Sequence, residues 1–198
     1  AGVYALFAMC AAFGVGNAAQ VNAVVTVLDG AGGLWFGTVL AIVVGWMVMG
    51  GAKKIAGAAE VLVPVVGGAY ILLCLAALVL CRERLVEALA SILRGAFDPK
   101  AVTGGVLGGM MGTLRIGVSR GTFTNEAGMG TAAIAHGTSD SAPLEQGLMG
   151  IMEVFLDTIV ICTLTALVIL TSGVPIPYGT AAGAELTAGA LSACFGPW

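Results

Sequence analysis

Long apolar blocks separated by short polar segments dominate this chain. A helix that crosses the hydrocarbon core of a bilayer needs roughly 20 consecutive, mostly apolar residues. Several blocks approach or exceed this length, at about 1–28, 34–50, 55–81 and 147–172. The pattern therefore predicts an all-α polytopic membrane protein, with residues 1–198 forming a single transmembrane domain.

The segment from Arg82 to Phe97 differs from these blocks, because its apolar residues recur at the spacing of one helical face. The charged residues Arg84, Glu87 and Arg94 fall on other positions. An amphipathic helix of this kind lies in the membrane interface and does not span the bilayer. We expect Asp98-Pro99-Lys100 to end it.

Residues 101–137 are rich in glycine and moderately apolar, with charged residues between the apolar ones. Within them, Arg120–Gly128 carries two charges, an amide and two glycines at apparent membrane depth. Such backbone survives in lipid only where protein or an aqueous cavity surrounds it, and broken helices mark the substrate and ion sites of secondary transporters. We predict one broken helix here, followed by a polar loop over 137–146; a plain cytoplasmic loop is the alternative.

Composition supports the membrane assignment and excludes several other classes. Apolar residues make up 59% of the chain and charged residues 10%, with a mean hydropathy of +1.03, whereas soluble domains carry about 25% charged residues. The net charge of −3 excludes a basic nucleic-acid-binding surface. Five cysteines and one histidine show no metal-ligand spacing, so no cofactor or structural metal is predicted.

The ends of the chain and its lysines carry two further expectations. The sequence starts at Ala1 without a methionine or charged leader and stops at Trp198 within an apolar stretch, so we expect an incomplete domain. Lys53-Lys54 lie between the second and third blocks. Because positive charge favours the cytoplasmic side, we expect that connection to face the cytoplasm of a multi-pass cell-membrane protein.

Amide side chains in the first block are the first functional candidates. Asn17 and Gln20 are three positions apart and share a helical face just after a weak point at Gly14-Val15-Gly16. Amides commonly make hydrogen bonds between membrane helices. Contact with a ligand and contact with a neighbouring helix therefore remain equal alternatives for these two residues.

Two carboxylates in the last long block are the second set of candidates. Glu153 and Asp157 are four positions apart and lie on one helical face, which must look into the bundle. They could bind a cation, relay protons, or form a structural ion pair with Arg115 or Arg120.

Four sequence stretches stand out by their length and order: GVGNAAQVN at 14–22, RGTFTNEAGMG at 120–130, IAH at 134–136 and VFLDTIVICTLTAL at 154–167. Taken together, they resemble the alanine/glycine:cation symporter family. The resemblance implies a LeuT-like inverted-repeat fold and sodium-coupled, or sometimes proton-coupled, uptake of alanine or glycine. It further implies that this chain is a fragment containing core helices 3 to 7, the sixth of them broken, and the start of the next.

The resemblance also implies roles for individual residues. Gln20 would bind the amino-acid head group and Phe123 would wall the side-chain pocket, with Asn17, Thr122 and Asn125 as further substrate-binding candidates. The ion-coupling candidates are Thr124, Asn125, Glu126 and Asp157. No metal beyond sodium and no cofactor is implied.

The chain departs from the family pattern at three positions, where Thr124 and Thr131 stand for Ser and Ala133 stands for Pro. Threonine in place of serine keeps the hydroxyl, but its extra methyl group reduces the volume of the pocket, so the substrate preference stays open. A symporter of another small solute on the same fold is one alternative, and a channel is another. A membrane-embedded hydrolase is disfavoured, because only His136 offers the usual base and no suitable nucleophile turn accompanies it.

Overall fold

The structure is a computed structural model that describes residues 2–12, 16–27, 33–98, 109–125, 131–137, 139–176 and 183–196. All regular secondary structure in these ranges is helical, as the apolar pattern predicts. The chain divides into two compact units, one of residues 1–76 and 174–198 and one of residues 77–173. We describe each unit separately.

The first unit contains helices α1 to α3, most of α4, and α10. Their bounds are α1 Gly2–Ala12, α2 Gly16–Val27, α3 Gly33–Val48, α4 Gly51–Leu80 and α10 Ala184–Phe195. Helix α2 contacts α1, α3 and α10. Ala190 on α10 is fully buried, and such small residues let helix backbones approach closely in lipid.

A tight turn at Met49-Gly50 joins α3 to α4. Gly51 has a φ of 75°, a left-handed conformation that glycine adopts without the steric cost of a Cβ. The Lys54 ammonium lies 3.4 Å from the centroid of the Trp46 ring and donates a hydrogen bond to the Trp46 carbonyl at 3.1 Å. Lys54 thus satisfies a carbonyl in the last turn of α3 that has no partner within the helix.

The second unit contains the end of α4 and the segments that follow it. Their bounds are a 3₁₀ turn at Arg82–Arg84, α5 Leu85–Phe97, α6 Met110–Asn125, α7 Thr131–His136, α8 Pro143–Val154, a π-helical segment Phe155–Ile161 and α9 Cys162–Ser172. Helix α5 contacts α9, and α6 contacts the π-helical segment. Ala77, Ala88 and Val168 form the buried apolar centre of this unit.

Arg84 and Gly173 together end α9. Gly173 follows the helix with a φ of 77°, the left-handed residue that commonly closes a helix C-terminus. The Arg84 guanidinium donates a hydrogen bond from Nη1 to the Ser172 carbonyl at 3.1 Å. A cation at this end also interacts favourably with the helix dipole.

Within the described ranges, two helices are long and apolar enough to cross a bilayer, Gly51–Leu80 and Pro143–Ser172, each of 30 residues. Both expose most of their surface; Leu72, for example, is 69% exposed and Ile151 67%. Trp35–Val48 and Ala184–Phe195 are shorter apolar helices. Outward-facing apolar side chains on such helices fit contact with lipid or with further helices, and they support a membrane protein.

The structure corrects three boundaries predicted from the sequence. Lys53-Lys54 belong to the first turn of α4 and not to a connecting loop, because that helix begins at Gly51. Helix α6 continues through Asn125, so Arg120–Asn125 are helical and not part of an interruption. The predicted loop at 137–146 ends early, because α8 begins at Pro143, and a proline fits the first helical position.

The amphipathic segment is confirmed as the 3₁₀ turn and α5, and the helix ends at Phe97. Its apolar residues Val86, Leu93 and Phe97 are 75%, 62% and 82% exposed. The same face thus remains open to lipid or to a further part of a bundle. Residues 126–130, at the end of the predicted interruption, lie outside the described ranges.

Candidate functional site

The continuous helix over residues 143–172 contains a π-helical segment in its middle. At the end of this segment the N–H of Cys162 donates to the carbonyl of Asp157, five residues back, where an α-helix would use the residue four back. Such widened turns are rare and are frequently found at functional sites. The segment therefore draws attention to the polar residues that it carries, Asp157 and Thr158.

Asp157 and Thr158 each bury a side-chain oxygen without a partner. The Asp157 Oδ2 and Thr158 Oγ1 atoms are inaccessible to solvent and form no hydrogen bond within the described part of the chain. Leaving a buried polar group unpaired is costly, and a buried carboxylate needs a proton, a cation or several donors. Carboxylate and hydroxyl oxygens are also the ligands that hard cations prefer. The two atoms are thus suited to accept a cation.

Helix α6 carries four of the eight predicted substrate and ion residues in its last turn. Thr122, Phe123, Thr124 and Asn125 are its final four residues, and α6 contacts the π-helical segment. The side chains of these four residues lie outside the described part, as does all of Glu126. The last carbonyl groups of any helix lack an intrahelical partner, which gives this end oxygen acceptors besides its side chains.

The other predicted substrate residues lie on α2. Gln20 is exposed on this helix, and Asn17 is in its first turn with its side chain outside the described part. Helix α2 belongs to the first unit, whereas Asp157 belongs to the second. The exposed amide of Gln20 is available for a ligand or for a neighbouring helix, the two alternatives that the sequence left open.

Glu153 has a different partner from the arginines that the sequence suggested. Its Oε2 lies 3.8 Å from Nε2 of His136, a contact that becomes an ion pair when the imidazole is protonated. His136 Nδ1 also lies 2.6 Å from Nε2 of Gln146. The Arg115 alternative is therefore wrong within the described part of the chain, while the side chain of Arg120 falls outside it.

Sequence reasoning missed Thr158 and Gln146 as members of these groups. A threonine directly after an aspartate in an otherwise apolar block was the available signal for Thr158. Gln146 gave no such signal, because it stands at the end of a predicted loop. Within the described ranges no group of three or more His, Cys, Asp or Glu side chains forms a metal site.

Comparison with known proteins gives the chain its family. Residues 1–198 match the sequence profile of the sodium:alanine symporter family. The amino-acid carrier protein AlsT of Bacillus subtilis is 37% identical over 92% of this chain and 39% of its own length. The sodium/alanine symporter AgcS of Methanococcus maripaludis is 37% identical over 96% of this chain and 43% of its own. A probable sodium/glutamine symporter of Bacillus subtilis, GlnT, is 38% identical over 98% and 41%.

The chain spans about two fifths of the length of these curated relatives. The matched region contains both the π-helical segment and the last turn of α6. The relatives are transporters and not enzymes, which agrees with the absence of a nucleophile–base arrangement from the sequence analysis. This chain belongs to the sodium:alanine symporter family, a family of amino-acid transporters.

Proposed function

We propose that this chain is part of a symporter that brings small neutral amino acids, alanine and glycine, into the cell together with sodium. The symporter is a multi-pass protein of the cell membrane with a LeuT-like inverted-repeat fold. In that fold, α1 and α2 form the third core helix, α3 the fourth, α4 the fifth, α6 and α7 the broken sixth, and α8 to α9 the seventh. The substrate is a small amino acid, with no nucleic-acid or protein partner.

The observation that carries this proposal is the pair of unpartnered oxygens in the π-helical segment. Asp157 Oδ2 and Thr158 Oγ1 are buried and form no hydrogen bond within the described part of the chain. A sodium ion bound by these oxygens would remove the cost of leaving them unpaired. A bound sodium ion would neutralise the Asp157 carboxylate and so change the charge at this site. If the conformations of the transporter differ in how well they bind the ion, its binding shifts the balance between them.

The remaining predicted residues divide between substrate and ion. Gln20 and Asn17 bind the polar head group of the amino acid through their amides, and Phe123 limits the size of its side chain. Thr122 and Asn125 contribute further polar contacts to the substrate. Thr124, Asn125 and Glu126 supply oxygen ligands for coupling ions in addition to Asp157.

The test is uptake of radiolabelled alanine by the full-length protein in proteoliposomes, with and without an inward sodium gradient. Concentrative uptake that disappears without sodium supports symport, and its loss in Gln20→Ala supports the substrate assignment. Uptake that never exceeds the external concentration would refute symport and leave a channel. Inhibition of labelled alanine uptake by unlabelled glycine is then compared with inhibition by unlabelled glutamine. This comparison decides the substrate class, because the GlnT relative is named for glutamine.

Variants of the seventh core helix test the cation assignment. Asp157→Asn should raise the sodium concentration for half-maximal uptake about tenfold or more, since it removes a charged ligand. Thr158→Val, which replaces the hydroxyl at similar volume, should raise it about fivefold. Matched controls on the same helix are Glu145→Gln and Thr163→Val, both at exposed positions, and both should leave the value unchanged.

Coupling to protons is the alternative that the same geometry allows, because a proton on Asp157 would also remove the unpaired charge. A proton-coupled carrier would accumulate alanine under an inward proton gradient without sodium. In that case Asp157→Asn would abolish accumulation but permit exchange. Sodium dependence that is identical in wild type and Asp157→Asn would remove Asp157 from the ion site altogether.

A further inference from the structure

A group of three side chains joins the short helix α7 to α8. His136 is the last residue of α7, and its ring lies between two polar residues of α8: Nδ1 is 2.6 Å from Gln146 Nε2 and Nε2 is 3.8 Å from Glu153 Oε2. Gly150 lies beneath the ring, because a Cβ built there would be 3.7 Å from Nε2. Gln146, Gly150 and Glu153 share one face of α8 by helical spacing.

The hydrogen-bond chemistry of this group depends on the protonation of the ring. With the amide of Gln146 donating to Nδ1, the imidazole is neutral and carries its hydrogen on Nε2, which faces Glu153. A second proton, on Nδ1, would place the ring N–H opposite the amide N–H of Gln146, so that two donors would face each other. The amide would then turn to present Oε1, and Nε2–H would form a charged pair with Glu153. The contact between Nδ1 and Gln146 can therefore be satisfied in each state.

The titratable residues along α8, the loop before it and the π-helical segment after it are acidic. Besides Glu153, helix α8 carries Glu145, the connecting loop carries Asp140, and the π-helical segment carries Asp157. Glu153 is the carboxylate that lies within 4.0 Å of the ring among the described residues. The His136 side chain is 32% exposed and that of Glu153 is 72% exposed. A positive ring would be attracted by Glu153.

We propose that His136, Gln146 and Glu153 form a proton-binding site that sets how firmly α7 is attached to α8. This proposal rests on the proposed function for its effect on transport. Helix α7 follows the last turn of α6, with its predicted substrate residues, and α8 leads directly into the π-helical segment with Asp157. Protonation adds a charged pair across the α7–α8 junction, which restrains α7 and slows the conformational steps of transport. Histidine is the side chain whose charge ordinarily changes between about pH 5 and 8.

The first experiment measures the maximal rate of alanine uptake by the full-length protein at saturating sodium and alanine, with equal pH on both sides. In the wild type the rate should fall about threefold from pH 7.5 to 5.5, the size expected of a half-exposed ion pair. In His136→Gln, which keeps the hydrogen bond but not the charge, the rate should stay constant across this range. Glu145→Gln, a carboxylate neighbour of Gln146, is the matched control and should keep the wild-type profile.

A second measurement does not need transport. The thermal midpoint of the purified protein in detergent is compared between wild type and Glu153→Gln at pH 5.5 and pH 8. Because the charged pair exists only when the ring is protonated, its stabilisation is present at low pH and lost as the pH rises. The difference between the two proteins should therefore be larger at pH 5.5.

The two measurements separate this proposal from the proposed function. If no alanine uptake is found but the pH-dependent difference in midpoint appears, the proton site stands and the transport assignment falls. If wild type and Glu153→Gln differ in thermal midpoint by the same amount at pH 5.5 and pH 8, the proton site is overturned. A pH profile of uptake that is unchanged in His136→Gln would overturn its effect on transport.

Discussion

Replacing Gly173 by alanine tests how α9 ends. Gly173 has a φ of 77°, where a Cβ costs about 1 kcal/mol. The same Cβ would collide with Nη1 of Arg84 and would lie 3.2 Å from its Cζ. The guanidinium must therefore move, and its hydrogen bond to the Ser172 carbonyl, 3.1 Å long, is lost. A charge-assisted bond in a part-buried position contributes about 1 kcal/mol, so Gly173→Ala should cost about 2 kcal/mol.

The assay is the free energy of unfolding of the full-length protein, from titration with a denaturing detergent, in a double-mutant cycle with Arg84→Ala. Arg84→Ala alone should cost about 1 kcal/mol, and adding Gly173→Ala to it should cost only the conformational part, about 1 kcal/mol more. Gly147→Ala on α8, where a Cβ meets nothing within 4 Å, is the matched control and should not destabilise. An equal cost of Gly173→Ala with and without Arg84 would refute the contact between them.

Two further predictions follow from tight positions in the first unit. Gly50→Ala should destabilise the protein by about 1–3 kcal/mol, because its Cβ would lie 2.8 Å from Cβ of Lys54 and would push that side chain off Trp46. If Gly50→Ala unfolds at the same denaturant midpoint as the wild type, the α3–α4 turn is not formed as described. Ala190→Leu should also cost about 1–3 kcal/mol, because it overpacks a fully buried site on α10. The neighbouring change Gly189→Ala should be tolerated, because the space at its Cβ is open. Equal free energies of unfolding for the two variants would contradict the burial of Ala190.

The apolar pattern predicted the helical class and the main helices because length and hydropathy alone decide where a membrane helix can form. It placed the start of α4 four residues late, since the boundary depends on the conformation of Gly51 and on the position of Lys54 over Trp46. Polarity at Arg120–Gly128 suggested unwound backbone there. Polar side chains do not themselves break a helix, and α6 continues through Asn125.

The candidate site was predictable only in part. Asp157 was identified because a carboxylate in an apolar block is expensive, and the structure adds that its Oδ2 is buried without a partner among the described residues. The π-helical segment gave no sequence signal, since 155–161 contains neither glycine nor proline. The pairing of His136 with Gln146 depends on how the chain turns between α7 and α8, and helical periodicity within one element carries no information about that.

The π-helical segment also affects how this helix is aligned with others. Its wider turns need more residues than an α-helix does to cover the same angle. A helical-wheel projection of residues 143–172 drawn at 100° per residue therefore assigns the residues beyond 155 to the wrong face of the helix. Conversely, a family member with one residue fewer in this stretch is expected to form a plain α-helix. A single-residue gap at 155–161 in an alignment would thus mark transporters that lack the turn holding Asp157 and Thr158.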